Sequence, residues 1–259
     1  MKKRFIILID FSEYSGNLLR YAYDWSLQIN AELLLVHQSI VVVPAFAGSE
    51  AKVRTTKETN DETLHKLKEL ANSILPSLDK ASYSVSENQL QFTLPKLLAE
   101  PFEHLIFVGL KGTALIKKIF LGSVAIQVID NTNNIVVAMP EEISKFSHEK
   151  IFVAVTERHP LNILQLNNFL NFLDEGTTSI TFFNLVQPNE KTKEIEKHLN
   201  DLSKLFAERY KTTFAIYQGN NSFEEIKKVI NNKINELLIV QKGSRLLTDQ
   251  LFRKFLINE

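Results

Sequence analysis

The feature that most restricts the fold is an alternation met twice along 259 residues, in which short, continuous apolar runs are separated by stretches with helical periodicity. Phe5 to Ile9 is β-branched and aromatic without the polar alternation of a half-exposed strand, as a strand covered on both faces of a parallel sheet requires. Behind it, Leu18, Ala22, Trp25 and Ile29 recur at four, three and four residues and mark one apolar stripe of a helix, with Ser12 placed to cap its start. Ala31 to Val36 reads as a second strand. Ile40 to Asn60 lacks a period, Asp61 to Ile74 reads as a charged helix, and Ser82 to Val85 as a third strand. Pro95 to Glu100 reads as a short helix, Leu105 to Val108 as a fourth strand, Val124 to Ile129 as a helix and Ile135 to Met139 as a fifth strand. Alternating strand and helix predict an α/β fold, an open parallel sheet with helices on both faces.

Residues 141 to 149 are polar and aperiodic, as a short linker would be, and the pattern then restarts. Ile151 to Val155, Ser179 to Asn184, Phe214 to Tyr217 and Leu237 to Val240 read as strands. Between them, Leu161 to Leu173 and Lys191 to Tyr210 read as helices, and Ser222 with Glu225 has the capping-box spacing that opens a helix to about Asn231. The same order in both halves predicts an internal duplication, with domains at 1–140 and 150–259. The length suits two domains of roughly 130 residues. The second copy reaches Glu259 before a fifth strand could form.

The 30 basic and 30 acidic residues cancel, so no global field draws the chain to nucleic acid or an anionic membrane. Cysteine is absent, which excludes disulfides, thiolate catalysis and Cys-based metal sites and suits a cytoplasmic location. Met1 to Asp10 lacks the long apolar core of a signal peptide, and no run approaches the roughly 20 apolar residues of a membrane span. The six histidines contain no H-x-x-x-H pair, so no built metal site is expected. No P-loop, no G-x-G-x-x-G and no G-x-S-x-G elbow is present, and no residue is marked as catalytic.

The strongest chemical signal is Val108-Gly109-Leu110-Lys111-Gly112, followed after nine residues by Gly122-Ser123, the pattern G-x2-G-x9-G-S. Glycines after a strand let backbone N–H groups approach phosphate oxygens, and Gly122-Ser123 ahead of a helix offers unpaired amides, a hydroxyl and the positive helix end. By spacing alone, plain turn formation stands about level with this reading. Asp10 likewise reads either as a ligand contact or as a helix cap.

Together with Asp10-Phe11-Ser12-Glu13, Leu35-Val36-His37 and the run Ile135 to Met139, this motif resembles that of the universal stress protein family, and the resemblance covers the chain as a tandem pair of domains of the adenine nucleotide alpha hydrolase-like fold. It implies a five-stranded sheet in the order 3-2-1-4-5 with ATP held where the first and fourth strands diverge; ATP could bring Mg2+ with it. It further implies that Asp10 contacts adenine or ribose, that the backbone at Gln38 lies against the base, and that Gly109 and Gly112 meet the ribose and first phosphates. Gly122, Ser123 and Val124 would hold the later phosphates. Lys111 could neutralise phosphate charge, whereas Lys117 and Lys118 read as solvated.

The implied role is a cytoplasmic, nucleotide-dependent stress-response or signalling module with at most slow hydrolysis. A slow ATPase or adenylate-transfer enzyme at the same site, and a structural interaction protein without nucleotide, remain as alternatives. In the second copy Thr156 falls at the position of Asp10, and Val240-Gln241-Lys242-Gly243-Ser244 replaces the glycine run, with Lys254 where the later glycine would be. That copy is expected not to bind. The family's fifth strands pair across a two-fold interface, so the resemblance implies a homodimer through Ile135 to Met139, with cover by the tail Leu251 to Ile257 as the other option.

Overall fold

The computed structural model describes residues 1–44, 46–113, 116–120, 123–139, 143, 146–156, 160–186, 192–218 and 236–241. The chain divides into two compact units, Met1–Lys145 and Phe146–Glu259.

The first unit runs β1 (Lys2–Leu8), α1 (Ser15–Ile29), β2 (Glu32–Gln38), α2 (Ser49–Ile74), β3 (Ala81–Ser86), α3 (Leu90–Leu98), β4 (Phe102–Gly109), β5 (Lys111–Thr113), β6 (Ile116–Phe120), α4 (Ser123–Asn131) and β7 (Val136–Met139). Its five-stranded sheet has the order β3-β2-β1-β4-β7 with every pair parallel, the order 3-2-1-4-5.

The continuous apolar runs are explained by cover on both faces. Successive side chains of a strand point to opposite faces, and Phe5 and Phe107 meet Trp25 of α1 edge-on at 5.5 and 5.6 Å between ring centroids. Their neighbours Ile6, Leu8, Ile106 and Val108 instead pack with Leu90 and Leu94 of α3 and Ala125 and Val128 of α4. Trp25 is fully buried, and truncation of such a ring to Ala costs about 3–5 kcal/mol.

Several local expectations are corrected. Helix α1 starts at Ser15 with Tyr14 at the N-cap and no side-chain cap, so Ser12 does not cap it. Helix α2 begins at Ser49, twelve residues ahead of Asp61, although its buried residues are only Leu67 and Ala71. Its first half packs too little apolar surface to show a period. Helix α3 runs Leu90–Leu98 with Pro95 inside it instead of at its start, and Leu90 and Leu94 form its buried stripe. The stretch between the motif glycines, for which no element is read from the sequence, contains an antiparallel pair, β5 with β6.

The second unit runs β8 (Lys150–Ala154), α5 (Ile163–Leu170), β9 (Ser179–Val186), α6 (Lys193–Phe206), β10 (Lys211–Gln218) and β11 (Glu236–Ile239). Its four described strands are parallel in the order β10-β9-β8-β11, which repeats 3-2-1-4. Phe182 of β9 packs on Phe206 of α6 at 5.6 Å, while Phe183 turns to the opposite face with Phe152 and Ala154. The stretch ahead of β8 is not a plain polar linker, because Phe146 and His148 are buried and their rings stack at 5.2 Å. The helix expected from Ser222 and the tail Leu251 to Ile257 lie outside the described residues.

Candidate functional site

The first sheet changes winding direction at β1, whose neighbours are β2 and β4. Crossovers on either side leave opposite faces there, so a crevice opens at the carboxyl ends of β1 and β4. Asp10 lies two residues past β1, Gln38 is the last residue of β2, and Gly109 is the last residue of β4. Helix α4 returns the chain to the parallel strand β7, so its N-terminus, Ser123 and the exposed Val124, belongs to the same edge. The fold therefore brings Asp10, Gln38, Gly109, Ser123 and Val124 to one edge of one sheet. Gly112 lies in β5 opposite Ile119, and Gly122 is outside the described residues.

The turn after β1 is ordered by the Asp10 carboxylate. Its Oδ1 accepts from the Ser12 N–H and from the Ser15 hydroxyl, each at 3.0 Å, which ties the strand end to the first turn of α1. Phe11 between them has φ 56°, in the left-handed region. The Phe11 ring lies 4.6 Å from the His37 ring, and His37 Nδ1 donates to the Ile9 carbonyl at 2.7 Å. The sequence pattern marks His37 through its family resemblance, but nothing local signals the strained Phe11 or the Nδ1 strut.

Gly109 can be tested for a purely structural need. A Cβ built there meets only Leu18 Cδ2, at 4.0 Å, among the described residues, and its φ is outside the left-handed region. Neither packing among the described residues nor backbone conformation demands glycine.

No protein-family model and no curated protein matches the chain. Among solved structures, a universal stress protein from Archaeoglobus fulgidus is 18% identical and matches over 88% of this chain and 84% of that chain at a TM-score of 0.64. The chain has the universal stress protein fold. A functionally unknown protein from Pseudomonas aeruginosa, 12% identical, matches over 96% of this chain and 87% of that one at 0.53. A universal stress protein solved in complex with cAMP, 16% identical, matches over 53% of this chain and 96% of its own at 0.35.

The two units share a backbone arrangement at the end of the first strand. In the first unit the Ile9 N–H donates to the Val36 carbonyl at 2.9 Å, and in the second the Val155 N–H donates to the Phe183 carbonyl at 2.8 Å. This register places Asn184 at the position of His37 and Thr156 at that of Asp10. Asn184 Nδ2 donates to the Val155 carbonyl at 2.5 Å, the same strut made by a different side chain. The pairing of Ile239 with Val153, against Phe107 with Ile7, places Gln241 at the position of Gly109. Gln241 fills its crevice: Nε2 donates to the Pro160 carbonyl at 3.1 Å, and Oε1 accepts from the Asn162 N–H at 2.6 Å. Asn162 is the N-cap of α5, so an amide N–H at that helix start is already bound by a side chain of the same unit.

Among the described residues no group of three or more His, Asp or Glu side chains could hold a metal ion. No described helix is long and apolar enough to cross a membrane.

Proposed function

We propose that this chain is an ATP-binding universal stress protein of the cytoplasm, whose first unit holds one adenine nucleotide and whose second unit holds none. The observation that carries the reading is Gly109, a glycine at the switch point of the sheet for which neither its backbone conformation nor the packing of the described residues calls. Asp10, pinned by Ser12 and Ser15, would meet adenine or ribose, and the Gln38 backbone would lie against the base. Gly109 and Gly112 would approach the ribose and first phosphates, and Gly122, Ser123 and Val124 at the start of α4 would receive the later phosphates, where the helix end favours negative charge. A Mg2+ ion would arrive on the phosphates. With no general base assigned, occupancy would act by shifting conformation or partner choice, which requires two states that bind ATP differently.

Calorimetry on the full chain tests this. One ATP per chain is expected, and a stoichiometry of two, or equal binding of NAD or a flavin, would reject it.

The same reading includes a homodimer across β7, the edge strand of the first sheet. The Ile106 N–H donates to the Ile135 carbonyl and the Leu110 N–H to the Met139 carbonyl. Alternation along the ladder then points the backbone groups of Val137 toward β4 and those of Val136 and Ala138 outward. An unpaired edge is a template for association. Ala138→Pro removes an outward N–H while leaving the ladder to β4 in place, so sedimentation should show the variant as a monomer and the unmodified chain as a dimer. A unmodified chain that stays monomeric at all concentrations would sink the dimer.

A further inference from the structure

Phe11 combines three properties that packing alone does not reconcile. Its φ of 56° is a conformation that costs free energy in any residue with a Cβ and is an outlier for a bulky one. The residue is 38% exposed, so deep burial does not offset that strain. The ring lies against His37, next to Asp10 and at the carboxyl edge that Gln38 shares. Strain of this kind persists where surrounding contacts hold it and gathers at binding sites.

His37 is fixed in a defined chemical state. A carbonyl oxygen can only accept, so the bond from Nδ1 to the Ile9 oxygen puts the proton on Nδ1. The neutral ring then has its acceptor lone pair on Nε2. The second unit makes the same strut with Asn184, which supplies no ring and whose remaining acceptor, the amide Oδ1, sits on a shorter side chain than the imidazole Nε2. The strut therefore does not need histidine.

We propose that Phe11 and His37 read the base of the bound nucleotide: Phe11 offers a π-face, and His37 Nε2 accepts from an exocyclic amine, so that a 6-amino purine is taken and a 6-oxo purine refused. The refusal follows from lone-pair repulsion, since guanine presents an acceptor where adenine presents a donor. This rests on the nucleotide-binding reading above and goes beyond it by assigning base specificity to two side chains.

Titration of the full chain with ATP and with GTP tests it, alongside thermal melts of each variant. The unmodified chain should prefer ATP by roughly 10- to 100-fold. His37→Asn keeps a donor for the Ile9 oxygen, as Asn184 does for Val155, and should bring the two affinities to within about threefold by weakening ATP. Phe11→Gly should raise the melting temperature, because glycine adopts the left-handed region without strain, while weakening ATP and GTP about equally. A His37→Asn variant with undiminished preference for ATP would overturn the specificity role of His37. A Phe11→Gly variant that melts higher and binds ATP unchanged would overturn the stacking role. If the unmodified chain binds neither nucleotide, the proposed function falls with the inference; if it binds both equally, only the inference falls.

Discussion

At the end of β1 an imidazole donates to the Ile9 carbonyl, and at the end of β8 an amide donates to the Val155 carbonyl; the two strand ends are braced alike by unlike residues. At the carboxyl ends of β4 and β11 the units part company. Gly109 leaves its crevice without a side chain, whereas Gln241 reaches from its strand to the start of α5 and binds Pro160 and Asn162. Features shared by the two units belong to the scaffold, and features that differ mark what each crevice is for. By that criterion the strut is structural, and Gly109 and Gln241 are the residues in which the two strand ends differ.

The largest effect should come from moving the difference across. Gly109→Gln would put into the first crevice the side chain that closes the second. Because a Cβ at 109 meets no described atom closer than 4.0 Å, the fold should survive while ATP affinity drops about 100-fold or more. Calorimetry together with a melting curve separates the two effects, and retained affinity would remove Gly109 from the site.

The reverse change, Gln241→Ala, removes two hydrogen bonds and leaves the Asn162 N–H without this partner. A loss of about 0.5–1.5 kcal/mol in the second unit is expected from deleting a partner of exposed backbone groups at a helix start, measured by denaturant titration, with ATP stoichiometry still one. Gain of a second nucleotide would show that Gln241 was the only barrier.

Asp10→Ala sharpens the meaning of the first turn. Loss of the acceptor for Ser12 and Ser15 should cost about 0.5–2 kcal/mol, as for a lost cap. If Asp10 also meets the nucleoside, ATP binding weakens and inorganic triphosphate binding does not. A stability loss with ATP affinity intact would leave it a purely structural residue.

The smallest effect concerns acid. Burial lowers the pKa of His104 in the first unit, with the backbone of Glu100 opposing and the charge of Arg4 adding to it. Burial also lowers that of His148 in the second unit, against the charges of Asp174 and Glu149. The unfolded chain takes up these protons first as pH falls, so both contributions are intact above about 6.5 and are lost as pH drops through the lowered folded values. Thermal melts at pH 7 and pH 5 should show a decline that His104→Gln reduces. An unchanged decline would place the acid sensitivity elsewhere.

The strands were legible because Phe5 to Ile9 and Leu105 to Val108 are buried on both faces, and a parallel strand of that kind has to be apolar throughout. The first half of α2 was not, since most of its residues from Ser49 to Asn60 meet solvent and write no period into the sequence. In α3, Pro95 drew the helix start toward itself, although the spacing of Leu90 and Leu94 already carried the stripe. The glycine pattern drew attention to Gly109 and Gly112 but carried no sign of the strand pairing of Gly112 with Ile119. The Gln241 bridge and the Phe11 conformation are long-range and conformational facts. Neither leaves a local trace, and an amide closing a gap some eighty residues away looks in sequence like any other surface glutamine.

Trp25 is the sole tryptophan of the chain, and it is sealed among Phe5, Tyr21 and Phe107 in the first unit. Intrinsic fluorescence excited at the red edge of the absorption band therefore reports on that unit alone. Circular dichroism follows the helices of both. Recorded on one sample, the two signals give each half of the molecule its own unfolding curve without a label, a truncation or an added dye.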